Sequence, residues 1–219
     1  MNIPIKGRTR ACYLFLNNEN LRSKTLLDIG CSNGWLLSLL KGRGLKKAIG
    51  VDPNIRELQT ARKNVPWAQF FISTSEKLPI ENESIDIVTF FDVLEHLPKS
   101  QERSGLTEIK RVLKKNGVLL LSTPNNNFVT NSLDPVWYFG HRHYDLKKLG
   151  QMVEMAGFKI ILEQIRGGFW SALYILWFYV MKWVFGEKYP RNKWLEKRDD
   201  QEFQKQGIHT IYVRAVRTG

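Results

Sequence analysis

Cysteine is scarce in these 219 residues, with only Cys12 and Cys31 present, which excludes a small secreted scaffold held by disulfides. No basic, then apolar, then small-residue leader opens the sequence, so a cytoplasmic location is expected, with a peripheral position at the inner face of a membrane left open. Acidic residues are also few, 21 against 33 Lys and Arg, for a net charge of +12. Such an excess favours an anionic contact: nucleic acid, a membrane surface or an acidic ligand. Solid basic runs are missing, however. Residues 1–25 carry five cations to one anion and residues 41–64 seven to two, while 65–98 sets Lys77 alone against Glu76, Glu81, Glu83, Asp86, Asp92 and Glu95. With no groove-reading motif and no basic stripe interleaved with stacking aromatics, nucleic acid is not favoured. What is present suits one packed domain over 1–219, with 43% hydrophobic and 25% charged residues.

Apolar runs of strand length alternate with stretches of helical period, the pattern of an α/β fold with a parallel sheet and crossover helices. Strands are predicted at 24–29, 47–51, 69–73, 85–91, 118–122, 158–165 and 208–217, and helices at 35–41, 54–63, 99–113 and 146–156, with a helical arm over 1–23. Asn116-Gly117 is expected to stop the 99–113 helix with a left-handed cap.

The first strand runs into Asp28-Ile29-Gly30-Cys31-Ser32-Asn33-Gly34-Trp35, a tight turn at the carboxyl end of a strand, where open α/β sheets bind ligands. A dinucleotide fingerprint needs Gly-x-Gly-x-x-Gly; counting from Gly30, the second and third positions are Ser32 and Trp35. A phosphate loop fails too, because no Gly-Lys-Ser/Thr follows. The remaining features are two acids. Asp52 closes Ile49-Gly50-Val51-Asp52, where a carboxylate accepts ribose hydroxyls, although it also stands where a helix cap would. Asp28 repels phosphate and suits an ammonium or a turn amide. The pair fits a cationic nucleoside better than an anionic dinucleotide.

Further motifs follow in order: Ser75-Glu76-Lys77-Leu78-Pro79, Ser84-Ile85-Asp86-Ile87-Val88, Phe91-Asp92-Val93-Leu94-Glu95-His96-Leu97, Arg111-Val112-Leu113-Lys114-Lys115-Asn116-Gly117 and Ser122-Thr123-Pro124-Asn125. With the glycine turn and Gly50-Val51-Asp52, this set resembles the class I S-adenosylmethionine-dependent methyltransferases, in particular the small type that includes ubiquinone and menaquinone biosynthesis enzymes. The resemblance covers 24–165. It implies a Rossmann-like, seven-stranded, mostly parallel sheet with helices on both faces. S-adenosylmethionine is the implied cofactor, bound by Asp28, Gly30, Cys31, Ser32, Gly34, Asp52, Pro53, Ser75, Glu76 and Phe91. Cys31 is read as a small filler without chemistry. Ser32 replaces a glycine common in the first motif, and Thr74 stands where an aspartate often lies near the adenine.

The implied reaction is attack by an acceptor on a sulfonium methyl, which depends on alignment and water exclusion and needs a base only for a protonated acceptor. Asp92, His96, His141 and His143 are the candidate bases, histidine being the side chain that titrates near neutrality. His141 and His143 alternate in Gly140-His141-Arg142-His143-Tyr144, so on an extended loop they face opposite ways. Asp92, Glu95 and His96 resemble metal ligands of some quinone-type relatives, but no metal is expected. The acceptor is a small molecule or a lipid-linked one. A non-catalytic S-adenosylmethionine-binding or partner-binding module is the alternative.

Between the last two predicted strands, 167–207 forms an apolar, aromatic insertion. As a helix its 169–185 run spans about 26 Å, short of the roughly 30 Å hydrocarbon layer, and a single crossing would strand the last strand away from its sheet. Three readings remain. It lies in a membrane interface, aided by Lys188, Arg191, Lys193, Lys197 and Arg198; it forms a homodimer interface or a lid; or it packs wholly into the domain's own core.

Overall fold

The computed structural model describes residues 5–186 and 191–219; Lys188 of the basic set after the insertion lies outside them. Seven strands form one sheet in the order β3-β2-β1-β4-β5-β7-β6: β1 (Thr25–Ile29), β2 (Lys47–Asp52), β3 (Gln69–Ile72), β4 (Ile85–Phe91), β5 (Leu113–Pro124), β6 (Phe158–Arg166) and β7 (Thr210–Arg217). Only β7 runs against its neighbours. The expected mostly parallel α/β sheet is therefore present, and its strand order reverses between the adjacent parallel strands β1 and β4.

Side-chain alternation divides the core into two layers. Leu27 and Ile29 of β1, Leu119 and Leu121 of β5, and Ile211, Val213 and Ala215 of β7 face one layer, closed by α4 (Glu102–Val112) and α6 (Leu146–Met155). Leu26, Leu120 and Tyr212 face the other, closed by α1 (Gly7–Asn17), α2 (Trp35–Ser38) and α3 (Ile55–Asn64). Helices thus cover both faces.

One boundary differs from expectation. Asn116-Gly117 does not cap the preceding helix, which ends at Val112; the pair lies inside β5. Asn116 has φ 61°, and the pairing with β4 passes from Ile85↔Leu113 to Ile87↔Val118. The left-handed residue makes a bulge rather than a helix stop, because β5 starts early against Ile85 and must absorb extra residues. A Cβ at Gly117 would lie 2.8 Å from the Lys114 carbonyl oxygen, so the bulge needs glycine there.

The insertion contains α7 (Phe169–Val184) and α8 (Lys193–Phe203), and a short α5 (Phe128–Leu133) follows β5. The reading of α7 as wholly core fails: Ser171 and Ala172 are its buried residues, and Phe169, Val180, Trp183 and Val184 are exposed. The sheet is already covered on both faces, and α7 lies against α8, α5 and the 135–139 turn. No described helix is long and apolar enough to cross a membrane.

Candidate active site

The glycine turn forms at the end of β1 because three consecutive needs coincide. Gly30 and Gly34 have φ of 73° and 78°, Ser32 adopts φ 47°, and the Gly30 and Cys31 amides donate to the Val51 carbonyl at 2.8 and 3.1 Å. A Cβ on Gly30 would meet Val93 Cγ2 at 2.3 Å. Asp52 braces the same turn, accepting from the Ser32 amide at 2.9 Å and the Asn54 amide at 2.8 Å. It is not the cap of α3; Asn54 is, accepting from the Arg56 and Glu57 amides. Glu57, absent from the sequence-based site, accepts from the Ser32 hydroxyl at 3.0 Å. Its position one helical turn after the cap is the only signal that could have found it.

Asp28 is buried, and its Oδ1 accepts from Thr89 Oγ1 at 2.7 Å, while Oδ2 has no partner among the described residues. Burial pushes its carboxyl up to about 7, with the neighbouring Asp52 adding to the rise and the Thr89 bond opposing it. An orphaned buried carboxylate oxygen beside a glycine turn is a ready partner for an ammonium, and Asp52, accepting one amide on each oxygen, has lone pairs left for ribose hydroxyls. These residues fit S-adenosylmethionine. Cys31 is fully buried and burial raises its thiol well above the usual range, in keeping with filler. Pro53 is exposed and Glu76 half-buried. Two expected contacts point elsewhere: Phe91 turns its ring to Phe15 of α1, 6.5 Å away, and Ser75 Oγ is buried against α4 at Gly105.

The acceptor side is assembled from distant segments. Asp92 follows β4 with φ 55°, accepts from Ser122 Oγ at 3.0 Å and pairs with Arg8 Nε of α1 at 3.2 Å. Glu95, three residues further and almost fully buried, accepts from Thr123 Oγ1 at 3.0 Å, and its Oε1 has no partner among the described residues. Burial, then the charge of Asp92, push its carboxyl up to about 8.

Arg142 explains how the histidines meet. Its guanidinium clamps the carbonyls of Leu94 and Leu97 and pairs with Glu102, while Tyr144 OH donates to Leu94 and to Glu102 at 3.1 and 2.7 Å. This staples 140–145 to the turn after β4, and the His96 and His141 rings lie 4.8 Å apart. His141 and His143 do not face opposite ways; their rings are 5.9 Å apart beside Asp134, because the loop is bent by the clamp rather than extended. His143 is held on both nitrogens, by Asn131 at 2.6 Å and Asp134 at 3.0 Å. That leaves it a brace. His141 Nδ1 is buried without a hydrogen-bond partner among the described residues. Burial and the neighbouring His96 drive its pKa down to about 4, and burial lowers His96 as well, so both rings are neutral at pH 7. Two groups bring ligand atoms within 4.8 Å of one another: Glu95, His96 and His141, and Asp134, His141 and His143.

Against α7 lies a cavity of about 260 Å³, lined by the polar Arg8, Asp134, His141 and His209 and by Val136, Ile175, Phe178 and Tyr179. Arg8, Tyr174, Ile175 and His209 also line a neighbouring cavity of about 300 Å³. Sequence spacing placed three histidines near the site; His209, entering from the start of β7, makes four. Arg8 was likewise missed, and no local signal in the arm distinguishes it.

Fold and site together define a class I methyltransferase-type domain. A family model described as a methyltransferase domain matches residues 6–163. The chain belongs to that family. It is 29% identical over 138 residues to a Mycolicibacterium smegmatis protein named "Probable S-adenosylmethionine-dependent methyltransferase", covering 63% of this chain and 52% of that one. It is 28% identical over 123 residues to the ubiquinone/menaquinone biosynthesis C-methyltransferase UbiE of Campylobacter jejuni, covering 53% and 52%. The chain thus spans about half the length of these curated relatives. Among solved structures it resembles a chain from the Haloferax volcanii complex of the Trm112 methyltransferase activator and a methyltransferase, with TM-score 0.71, 16% identity, and 97% and 90% of the two chains covered.

Proposed function

We infer that the protein is an S-adenosylmethionine-dependent methyltransferase acting on a small-molecule or lipid-linked acceptor, with α7 holding it at the inner face of a membrane. The observation that carries this reading is the cavity against α7, lined by apolar side chains of that helix together with Arg8, His141 and His209, of which Arg8 reaches Asp92 at the end of β4. Asp28 Oδ2 would hold the cofactor's ammonium and Asp52 its ribose hydroxyls, and the cofactor when bound would supply an electrophilic methyl group on a sulfonium. At the acceptor side, neutral His141 offers an unpartnered nitrogen for a proton leaving the acceptor. Arg8 fixes Asp92 and keeps that carboxylate occupied, so His141 is favoured over Asp92 as the base. Helix α7 covers this cavity and α8 the neighbouring one, which limits access of water to both.

The test is transfer of labelled methyl to membrane and soluble fractions, repeated with the apolar side chains of 169–185 made polar. Label in a lipid fraction that depends on those side chains supports the reading. Stoichiometric cofactor binding with no methylated product in any fraction identifies a non-catalytic binding module instead.

A further inference from the structure

The exposed aromatic surface is not confined to the insertion. In the turn Pro135–Phe139, Trp137 and Tyr138 are exposed and Phe139 is 79% exposed, while α7 ends in Trp183, Val184 and Phe185, the last two 70% and 66% exposed. Phe139 and Trp183 meet edge to face with centroids 5.6 Å apart, which joins two segments over 40 residues apart in sequence into one rim. Tyr179 connects this rim to the interior: its ring lies 4.8 Å from that of Trp183 and also lines the cavity that ends at Arg8 and His141.

Charge at the rim is one-sided. Between 125 and 140 the one charged residue is Asp134, which is buried against His143, and on α7 the one charged residue is Lys182, over the Tyr179 ring at 5.9 Å. No exposed carboxylate stands in either segment. Trp137 borders a groove, but Tyr138, Phe139 and Phe185 project. A protein partner would need a matching socket for each, whereas a lipid interface accepts any projecting shape and favours Trp and Tyr at its polar boundary.

We propose that this rim docks on an anionic bilayer and that the cavity under Tyr179 is the portal through which a lipid-linked acceptor enters from the leaflet, its polar head reaching Arg8 and His141 and its tail remaining among Val136, Phe178 and Tyr179. The portal rests on the methyl-transfer reading; the docking does not. Lys182 meets the headgroups, and the rings of 137–139 and 183–185 enter the interface side by side.

Co-sedimentation with phosphatidylcholine vesicles, with and without phosphatidylglycerol, tests the docking. The wild-type chain is expected to sediment with the anionic vesicles. Replacing both exposed rings, Phe139→Ser with Phe185→Ser, is expected to weaken this at least about tenfold, because each ring loses a buried apolar contact. Calorimetric S-adenosylmethionine binding should stay within about twofold, since neither residue touches the cofactor turn. Lys182→Glu should abolish the preference for phosphatidylglycerol. Absence of vesicle binding by the wild type, or unchanged binding by the double variant, overturns the proposal. So does a dimer by light scattering that the same double variant splits, which assigns the rim to a second copy. Failure of vesicle binding with cofactor binding intact removes the docking and the portal but leaves the methyl-transfer reading standing. Vesicle binding without any cofactor binding removes the methyl-transfer reading and the portal with it.

Discussion

Arg8 Nε lies 3.2 Å from Asp92 Oδ2, so the N-terminal helix supplies a cation to the end of the central strand β4. The same helix face carries Cys12 one turn later, 3.8 Å from Ser122 Oγ, which itself donates to Asp92. The arm is thereby a wall of the proposed acceptor site. Its other side is fastened to α8, where Asp200 accepts from the Gly7 amide at 3.0 Å and from Arg10 at 2.8 Å.

Replacing Arg8 by Gln should lower kcat on the order of tenfold through misplacement of Asp92 and the acceptor, with cofactor affinity nearly unchanged. Steady-state kinetics beside calorimetric binding separates the two. An equal loss in both would place Arg8 in the cofactor half.

Asp28 gives cofactor binding a pH dependence of predictable sign. Its carboxyl is held up to about 7 in the empty fold, and an ammonium partner favours the ionised form. Binding must therefore release a proton below pH 7, and affinity should tighten by up to about tenfold per pH unit toward neutrality and then level off. In the empty protein the raised pKa works the other way: its stabilising share is complete below the ordinary carboxylate range and is lost as pH rises toward 7. Asp28→Asn should flatten both trends, measured by titration calorimetry and thermal unfolding.

His141, with its pKa near 4, stays unprotonated from about pH 5 upward. A rate that depends on it should show no acid limb between pH 5 and 7, and His141→Ala should lower kcat by about 100-fold on an acceptor that must lose a proton. His143→Ala should act differently, loosening Asn131 and Asp134 and lowering thermal stability by about 1–3 kcal/mol. A pH–rate profile for each variant separates the base from the brace.

Gly30→Ala should cost about 1–3 kcal/mol of stability and most of the cofactor affinity, since it combines a φ of 73° with a methyl 2.3 Å from Val93. Chemical denaturation and calorimetry read the two effects.

The cofactor half was legible in the sequence because its parts are consecutive: Asp28, Gly30, Ser32 and Gly34 sit in one turn, and Asp52 ends the very next strand. Periodicity likewise placed β4 at its observed limits. Of the other half, Asp92, His96, His141 and His143 were legible as candidates, but Arg8, Asp134 and His209 were not, because they join that cluster only through the β5–β7 pairing and the Arg142 clamp. Asn116-Gly117 misled for a related reason: a left-handed pair looks the same at a helix end and in a bulge, and the early pairing of Leu113 with Ile85 decides between them.

The insertion leaves and rejoins the sheet through a neck so narrow that a Cβ at Gly207 would lie 1.9 Å from the Gly167 carbonyl oxygen. The Ile208 amide closes it by donating to that same oxygen at 2.7 Å. Beyond the neck, the described residues of 168–206 add no strand to the sheet, so the register of β6 on β7 is set outside them. The proposed acceptor wall is in this sense a cassette on a separate chassis. Its main constraint is the Asp200 clasp on α1, which any exchanged cassette would have to preserve to keep Arg8 in place.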